Sequence, residues 1–227
     1  MYNDRIIQLT KDGSHTIAIP AMNVTYHSTH GAVQESMHVF IQSGLRYFIN
    51  NNKPLSGEAI QIFEQGFGTG LNALLTLQEA IQLDQKISYH TIEPYPITME
   101  DAAQLNYGEL IKDLKEYFHL IHKCEWGKEV VIHRLFSLKK INTTLQQFET
   151  SAQFHIIYFD AFDPAAQPEL WTEFIFKKMY DLLYPDGILV TYSSKGTVQR
   201  AMKAARFTIE KLKGPLGKRE IIRAIKT

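Results

Sequence analysis

A chain of 227 residues with 24 basic and 24 acidic side chains has a formal net charge of zero, and 44% of it is hydrophobic. That is an ordinary globular composition, long enough for one sizeable α/β core and short for two. The single cysteine, Cys124, excludes an internal disulfide and makes a reducing, cytoplasmic setting the expectation; no run approaches the ~18 apolar residues of a membrane span.

Met1 to Arg5 lead into alternating residues and not into an apolar signal core. Two strand-like runs, Arg5 to Leu9 and Thr16 to Ile19, flank Asp12-Gly13 and predict a β-hairpin. Tyr26 to Ser36 is polar and loop-like, and a short helix follows to about Phe40. Asn50-Asn51-Asn52-Lys53-Pro54 and Ser56-Gly57 mark a turn region. Residues 1–57 are thus expected to form a hairpin and cap segment packed on a core at 58–227, one compact unit overall.

From Ile60 strands and helices alternate, which calls for a parallel sheet with right-handed crossovers. The expected strands are Ile60 to Gln65, Ile87 to Glu93, Val130 to Phe136, Phe154 to Phe159 and Ile188 to Ser193. Helices are expected from Leu71 to Ile81, Ile97 to about Leu105, Glu169 to Tyr184 and Thr197 to about Ala205, with a polar, helix-rich insertion running to Trp126. Two last runs, Phe207 to Lys211 and Glu220 to Lys226, have no helix between them and should pair antiparallel. Five strands with helical crossovers and a terminal strand pair give a doubly wound, Rossmann-like α/β sheet of the class I methyltransferase layout, with a small N-terminal hairpin added.

The first of these strands breaks into Gly66-Phe67-Gly68-Thr69-Gly70 before its helix. Glycine suits a backbone that must turn tightly and approach a ligand. A dinucleotide fingerprint has its third glycine three residues after the second, whereas here the spacing is even. Glu64, just ahead, would repel a pyrophosphate but suit the ammonium of an amino acid, which favours S-adenosyl-L-methionine over a nicotinamide cofactor. Glu93 ends the second strand, 23 residues past Gly70, where an acid can take the hydroxyls of a ribose. The expected cofactor set is Glu64, Gly66, Gly68, Gly70, Asn72 and Glu93. Asp160 ends the fourth strand, where donor and acceptor meet; Asp163 reads as a loop or capping residue. His27 and His30 have no cysteine or carboxylate cluster to complete a set, so no metal is expected.

Charge is unevenly spread. From Lys195 to Thr227, ten Lys and Arg against two Glu leave +8, so the preceding residues carry −8. Such polarity fits one basic face for a polyanion, and equally a lysine-rich edge hairpin that resists aggregation.

Four motifs together carry a resemblance. They are Gly66-Phe67-Gly68-Thr69-Gly70-Leu71-Asn72; Asp160-Ala161-Phe162-Asp163-Pro164 with Pro168-Glu169-Leu170-Trp171; Thr191-Tyr192-Ser193 before Gly196-Thr197-Val198-Gln199-Arg200; and Gly217-Lys218-Arg219-Glu220. From about Tyr26 onward the chain resembles the tRNA 5-(aminomethyl)uridine methyltransferase family, the methyltransferase half of the bifunctional enzyme for tRNA 5-methylaminomethyl-2-thiouridine. The resemblance implies methyl transfer from S-adenosyl-L-methionine to the primary amine of 5-aminomethyl(-2-thio)uridine at the wobble position, with the anticodon region of tRNA as partner. It makes Asp160 the active-site acid. It casts Phe162, Trp171 and Tyr192 as stacking candidates and Lys195, Arg200, Lys218 and Arg219 as tRNA contacts. The flavin-dependent oxidase domain of the bifunctional relatives has no counterpart in this length, so a stand-alone methyltransferase is expected. Two departures stand out: Leu135-Phe136-Ser137 replaces the usual adenine-contacting acid after the third strand, and Gly214-Pro215-Leu216-Gly217 replaces a Gly-Phe-Gly loop. The competing readings are a nicotinamide oxidoreductase, an aminopropyltransferase on the same fold, and a non-catalytic tRNA-binding protein.

Overall fold

The computed structural model describes residues 5–52 and 57–227; the Lys53 to Ser56 part of the expected turn, and Met1 to Asp4, lie outside the described residues. Eight strands form the central sheet in the order β10-β11-β9-β8-β4-β5-β7-β6. Its parallel middle is β9 (Leu183–Thr191), β8 (Phe154–Phe159), β4 (Ile60–Gln65), β5 (Ile87–Ile92) and β7 (Phe136–Ile141). Antiparallel strands flank it: β11 (Glu220–Ile225) and β10 (Thr208–Lys213) on one side, β6 (Glu129–His133) on the other. The terminal pair is therefore antiparallel, as its missing crossover helix requires. The chain winds β4, β5, β7 in one direction and then returns to β8 on the far side of β4. Such a reversal opens a crevice at the carboxyl ends of the strands.

Each central strand sends alternate residues to opposite faces. Ile60 and Ile62 join one apolar core with Leu71, Leu74, Phe40 and Leu45, while Phe63 joins a second with Phe154, Phe176 and Met202. Helices thus cover both faces, as a parallel sheet demands. β1 (Ile6–Leu9) and β2 (His15–Ile19) form the expected hairpin, and β3 (Val24–Thr25) adds a third strand that the sequence did not signal.

The expected helix ending near Phe40 is far longer. Ala32–Ser36, Met37–Arg46 and Tyr47–Asn51 run on with helical backbone at both junctions, the middle section in wider π-type turns. Ile41, Leu45 and Phe48 lie at i, i+4 and i+7 and are all buried, so burial holds helical what Asn50 and Asn51 alone would have broken. Gly44 lets the helix lie on the sheet: a Cβ there would stand 3.1 Å from Val190 and 3.2 Å from Tyr158.

The expected third strand, Val130 to Phe136, is two strands. The chain turns back at Arg134-Leu135, and β6 pairs with β7 from His133 opposite Phe136. The parallel strand is therefore β7, hidden in the sequence by Lys139-Lys140. Lys140 is fully buried; its Nζ donates to the His122 carbonyl at 2.7 Å and lies 4.8 Å from the Trp126 ring centroid. The strand end to inspect is Ile141-Asn142-Thr143-Thr144 and not Leu135-Phe136-Ser137. It too carries no acid. The helix expected at Glu169 to Tyr184 is a 3-10 turn, Pro168–Leu170, and then Glu173–Leu182, capped by Thr172.

Candidate active site

At the crevice lies a cavity of about 570 Å³, within the range of small-molecule sites. Its walls come from the carboxyl ends of the parallel strands: Gln65 to Thr69 after β4, Glu93 to Tyr95 after β5, Thr144 to Gln146 beyond β7, Asp160 to Asp163 after β8, and Tyr192 after β9. Asn23 to Thr29 and Glu35 close it from the N-terminal segment, and Lys218 from the β10–β11 loop.

The glycine turn is shaped by what stands against it. Gly66 has φ +93°, and a Cβ there would lie 2.6 Å from the Asp160 carbonyl oxygen. Gly68 has φ +51°, and a Cβ there would lie 3.0 Å from the Tyr26 ring. The Gly68 N–H donates to Glu93 Oε2 at 3.1 Å, and the Tyr95 N–H to Glu93 Oε1 at 2.9 Å. Burial raises the Glu93 pKa despite these two donors.

Asp160 opens onto the cavity but is hemmed in by protein. Its Oδ2 accepts from Asn72 Nδ2 at 2.8 Å. Burial, with Glu35 acting in the same direction, pushes its pKa to about 7. Phe162 lines the mouth, edge-on to Tyr26 with centroids 5.2 Å apart. The Tyr192 hydroxyl donates to the Ala161 carbonyl at 2.8 Å.

Three expected site residues, Glu64, Trp171 and Lys218, stand elsewhere than the sequence suggested. Glu64 lies behind the cavity wall, fully buried, with Thr91 Oγ1 donating to it at 2.7 Å. Burial lifts its pKa to about 8, so at neutral pH it supplies a neutral carboxyl group and not the negative charge expected of it. Trp171 is also buried, its Nε1 donating to the Phe162 carbonyl at 2.8 Å. A ring packed against Phe159 and Phe176 offers no face to a base. Lys218 points into the cavity and pairs with Glu35 at 2.6 Å. Lys195 is exposed but paired with Asp163. Arg200 and Arg219 are exposed, as a polyanion contact requires. Asp163 has the loop-capping role expected, accepting from the Ala165 N–H at 2.8 Å.

Sequence reasoning missed the whole N-terminal wall. His27 is buried, its Nε2 2.7 Å from Thr69 Oγ1, and burial drops its pKa to about 4, so it pins the segment to the glycine turn as a neutral ring. Glu35, 8% exposed, was invisible because its stretch read as a loop; once Ala32 to Asn51 is a helix, it is the acid of that helix's first turn.

The lining includes Glu35, Glu93, Asp160, Asp163 and Glu169, and Lys218 is the single Lys or Arg among the described lining residues. That charge set suits a cationic sulfonium amino acid and opposes a pyrophosphate. The glycine cradle, with Glu93 at its rim, fits the nucleoside end of the same molecule.

A family model described as S-adenosyl-L-methionine-dependent methyltransferase matches residues 106–227. The chain belongs to this family. The methyltransferase uses S-adenosyl-L-methionine as its cofactor. It is 30% identical over 243 residues to the tRNA 5-methylaminomethyl-2-thiouridine biosynthesis bifunctional protein MnmC of Burkholderia pseudomallei, an alignment that takes in 96% of this chain and 36% of that protein. The chain spans about a third of the length of the curated relatives it matches. Among solved structures, MNMC2 from Aquifex aeolicus superposes with a TM-score of 0.80 at 21% identity, over 99% of this chain and 70% of that one. Spermidine synthase from Thermotoga maritima does so at 0.57 and 16%, over 98% and 69%. At those identities both likenesses concern the fold, and they agree with the α/β sheet described above. The family match begins at residue 106, so it contains Asp160, Tyr192 and Lys218 but not the glycine turn or Glu35. No helix among the described residues is long and apolar enough to cross a membrane.

Proposed function

We propose that this methyltransferase acts in the cytoplasm on tRNA, methylating the primary amine of 5-aminomethyl(-2-thio)uridine at the wobble position to give the 5-methylaminomethyl base. The observation that carries the reading is Asp160: a carboxyl group with a pKa of about 7, facing an acid-lined cavity with Phe162 and Tyr192 beside it. Likeness to the bifunctional MnmC proteins of tRNA 5-methylaminomethyl-2-thiouridine biosynthesis over most of this chain supports it.

S-adenosyl-L-methionine supplies an electrophilic methyl group on a positive sulfur. Glu93 would hold its ribose and the glycine turn its backbone-facing side. The acceptor nitrogen attacks with its lone pair, so it must be neutral; an alkylamine has a pKa near ~10.4, and deprotonation at neutral pH costs about 4–5 kcal/mol. An ordinary aspartate would accept that proton poorly. Burial raises Asp160 towards neutrality in the free protein, but a sulfonium and an ammonium beside it lower its pKa again, so the amine's proton passes to solvent. Asp160's first task is to hold, as a carboxylate, the cation that methyl transfer leaves. Its second task is orientation: Asn72 fixes Oδ2, so the carboxyl group can take a hydrogen bond from the amine and aim the lone pair. Transfer leaves a positive charge on the acceptor nitrogen, which the Asp160 carboxylate would offset. Phe162 would stack on the uracil ring. Arg200 and Arg219 would meet phosphates.

The test is methyl transfer from labelled S-adenosyl-L-methionine to tRNA bearing the unmethylated aminomethyl base, followed by nucleoside analysis. Label in 5-methylaminomethyluridine, and none with tRNA lacking the amine, is the expected result. Transfer to another position, or none at all, would overturn the assignment.

A further inference from the structure

Lys218 is held in the cavity by two contacts. Its Nζ lies 2.6 Å from Glu35 Oε2 and 3.8 Å from the centroid of the Tyr192 ring, over its face. A lysine on a flexible stem ordinarily keeps its head in water. Here the head lies between a carboxylate that is 8% exposed and an aromatic face, a pairing that selects ammonium groups. Glu35 and Tyr192 line the same cavity as Asp160. On either side of Lys218 the loop faces outward, with Leu216 66% exposed and Arg219 exposed.

We infer that Glu35 and the Tyr192 ring form an alkylammonium subsite beside Asp160, that Lys218 fills it in the free protein, and that the aminomethyl group of the acceptor displaces the lysine head. The inference rests on the amine-methylation reading above. The position between Glu35 Oε2 and the Tyr192 ring face holds one ammonium at a time, so the lysine must leave it before the acceptor amine is seated there. Its stem starts next to Arg219 on the outward loop, so an RNA phosphate arriving there draws the head out while the amine enters. An acceptor without phosphates lacks that lever and meets a blocked subsite. Glu35 then does double duty: it stores the lysine in the free protein and binds the amine in the complex.

Two variants, Lys218→Met and Glu35→Gln, and two acceptors, the free nucleoside 5-aminomethyluridine and tRNA carrying it, test this. Lys218→Met should raise kcat/KM on the free nucleoside about tenfold and lower it on tRNA, the gain reflecting one charged contact no longer in competition. Above about pH 8, where Asp160 is ionised with or without the Glu35 charge, Glu35→Gln should raise KM for both acceptors about tenfold with little change in kcat. Far-UV circular dichroism and a cooperative urea transition like the wild type's, expected in both variants, separate the effect from misfolding. A Lys218→Met protein no better on the nucleoside, or an unaltered acceptor KM in Glu35→Gln, overturns the inference. Calorimetry with methylammonium chloride needs no turnover and stands apart from the tRNA reading: Lys218→Met should bind it, and the double variant should not. Absence of methyl transfer by the wild type to either acceptor would sink the functional proposal alone, whereas methylammonium binding that ignores Glu35 would sink the subsite.

Discussion

The charge on Asp160 should govern acceptor methylation, and its titration can be read directly in rates. Burial raises the pKa from 3.8 to about 7, with Glu35 adding to the rise and Asn72 and Lys218 opposing it. The carboxyl group therefore keeps its proton below about 7 and is charged above. Transfer that needs the ionised form weakens as pH falls through that value, about tenfold per unit on the acid side. Asp160→Asn abolishes this titration while keeping the shape of the side chain. Ionisation of the amine itself affects both enzymes alike and cancels in the ratio of their kcat/KM values. That ratio should be level above about pH 8 and fall about tenfold per unit below about pH 6. On the level part, a hydrogen bond to a charged acceptor is worth ~1.5–3 kcal/mol, or about 10- to 150-fold in rate. Initial rates with labelled methyl donor on aminomethyl tRNA, at subsaturating donor, give the profile. Saturating donor brings a positive sulfur beside the carboxylate, and the acid limb should then move below 7. A ratio that does not change with pH, or a limb near the ordinary aspartate value, would refute the reasoning.

Glu64 offers a stability test with the same logic. Its folded pKa of about 8 against 4.5 means its contribution is whole below about 4.5 and is lost as pH rises through 8, by up to ~1.4 kcal/mol per unit. The stability difference between wild type and Glu64→Gln in urea should shrink over that window, and donor affinity at neutral pH should change little; a large loss of affinity would show that a charge is needed there after all. Trp171→Phe removes the hydrogen bond to Phe162 and should lower stability by about 1–3 kcal/mol while leaving acceptor KM nearly intact, as equilibrium denaturation and kinetics would show. Arg219→Ala should reduce the slope of log affinity for tRNA against log salt by about one contact's worth. Lys195→Ala should reduce it less, because Asp163 already shares that charge.

Much of the sheet was legible because it rests on local signals. Buried strands such as Phe154–Phe159 are short apolar runs, and the three glycines announce a turn whose backbone no other residue adopts easily. Failures came where tertiary burial overruled local chemistry. Lys140 reads as a surface residue, yet a carbonyl and two rings hold its ammonium inside, and the strand it belongs to went unrecognised. Asn50-Asn51 reads as a turn, yet the helix beneath is carried through by Ile41, Leu45 and Phe48. The site divides the same way. Strand tips located Glu93 and Asp160, since topology alone puts those positions at the crevice. Nothing local could show that Glu64 points away from it, that Trp171 is a packing residue, or that Glu35 arrives from more than a hundred residues upstream of Asp160.

The strand Glu220–Ile225 is not at the rim of the sheet: it is inserted between β9 and β10 and bonded to both. A ribosome must therefore release nearly everything described here before β10 has a neighbour to bond, and Lys218 reaches its place only with that insertion. Until that strand is made, the pocket lacks the wall that Lys218 provides. A ligand added to stalled nascent chains should protect them from protease only once the stretch through Ile225 has cleared the exit tunnel.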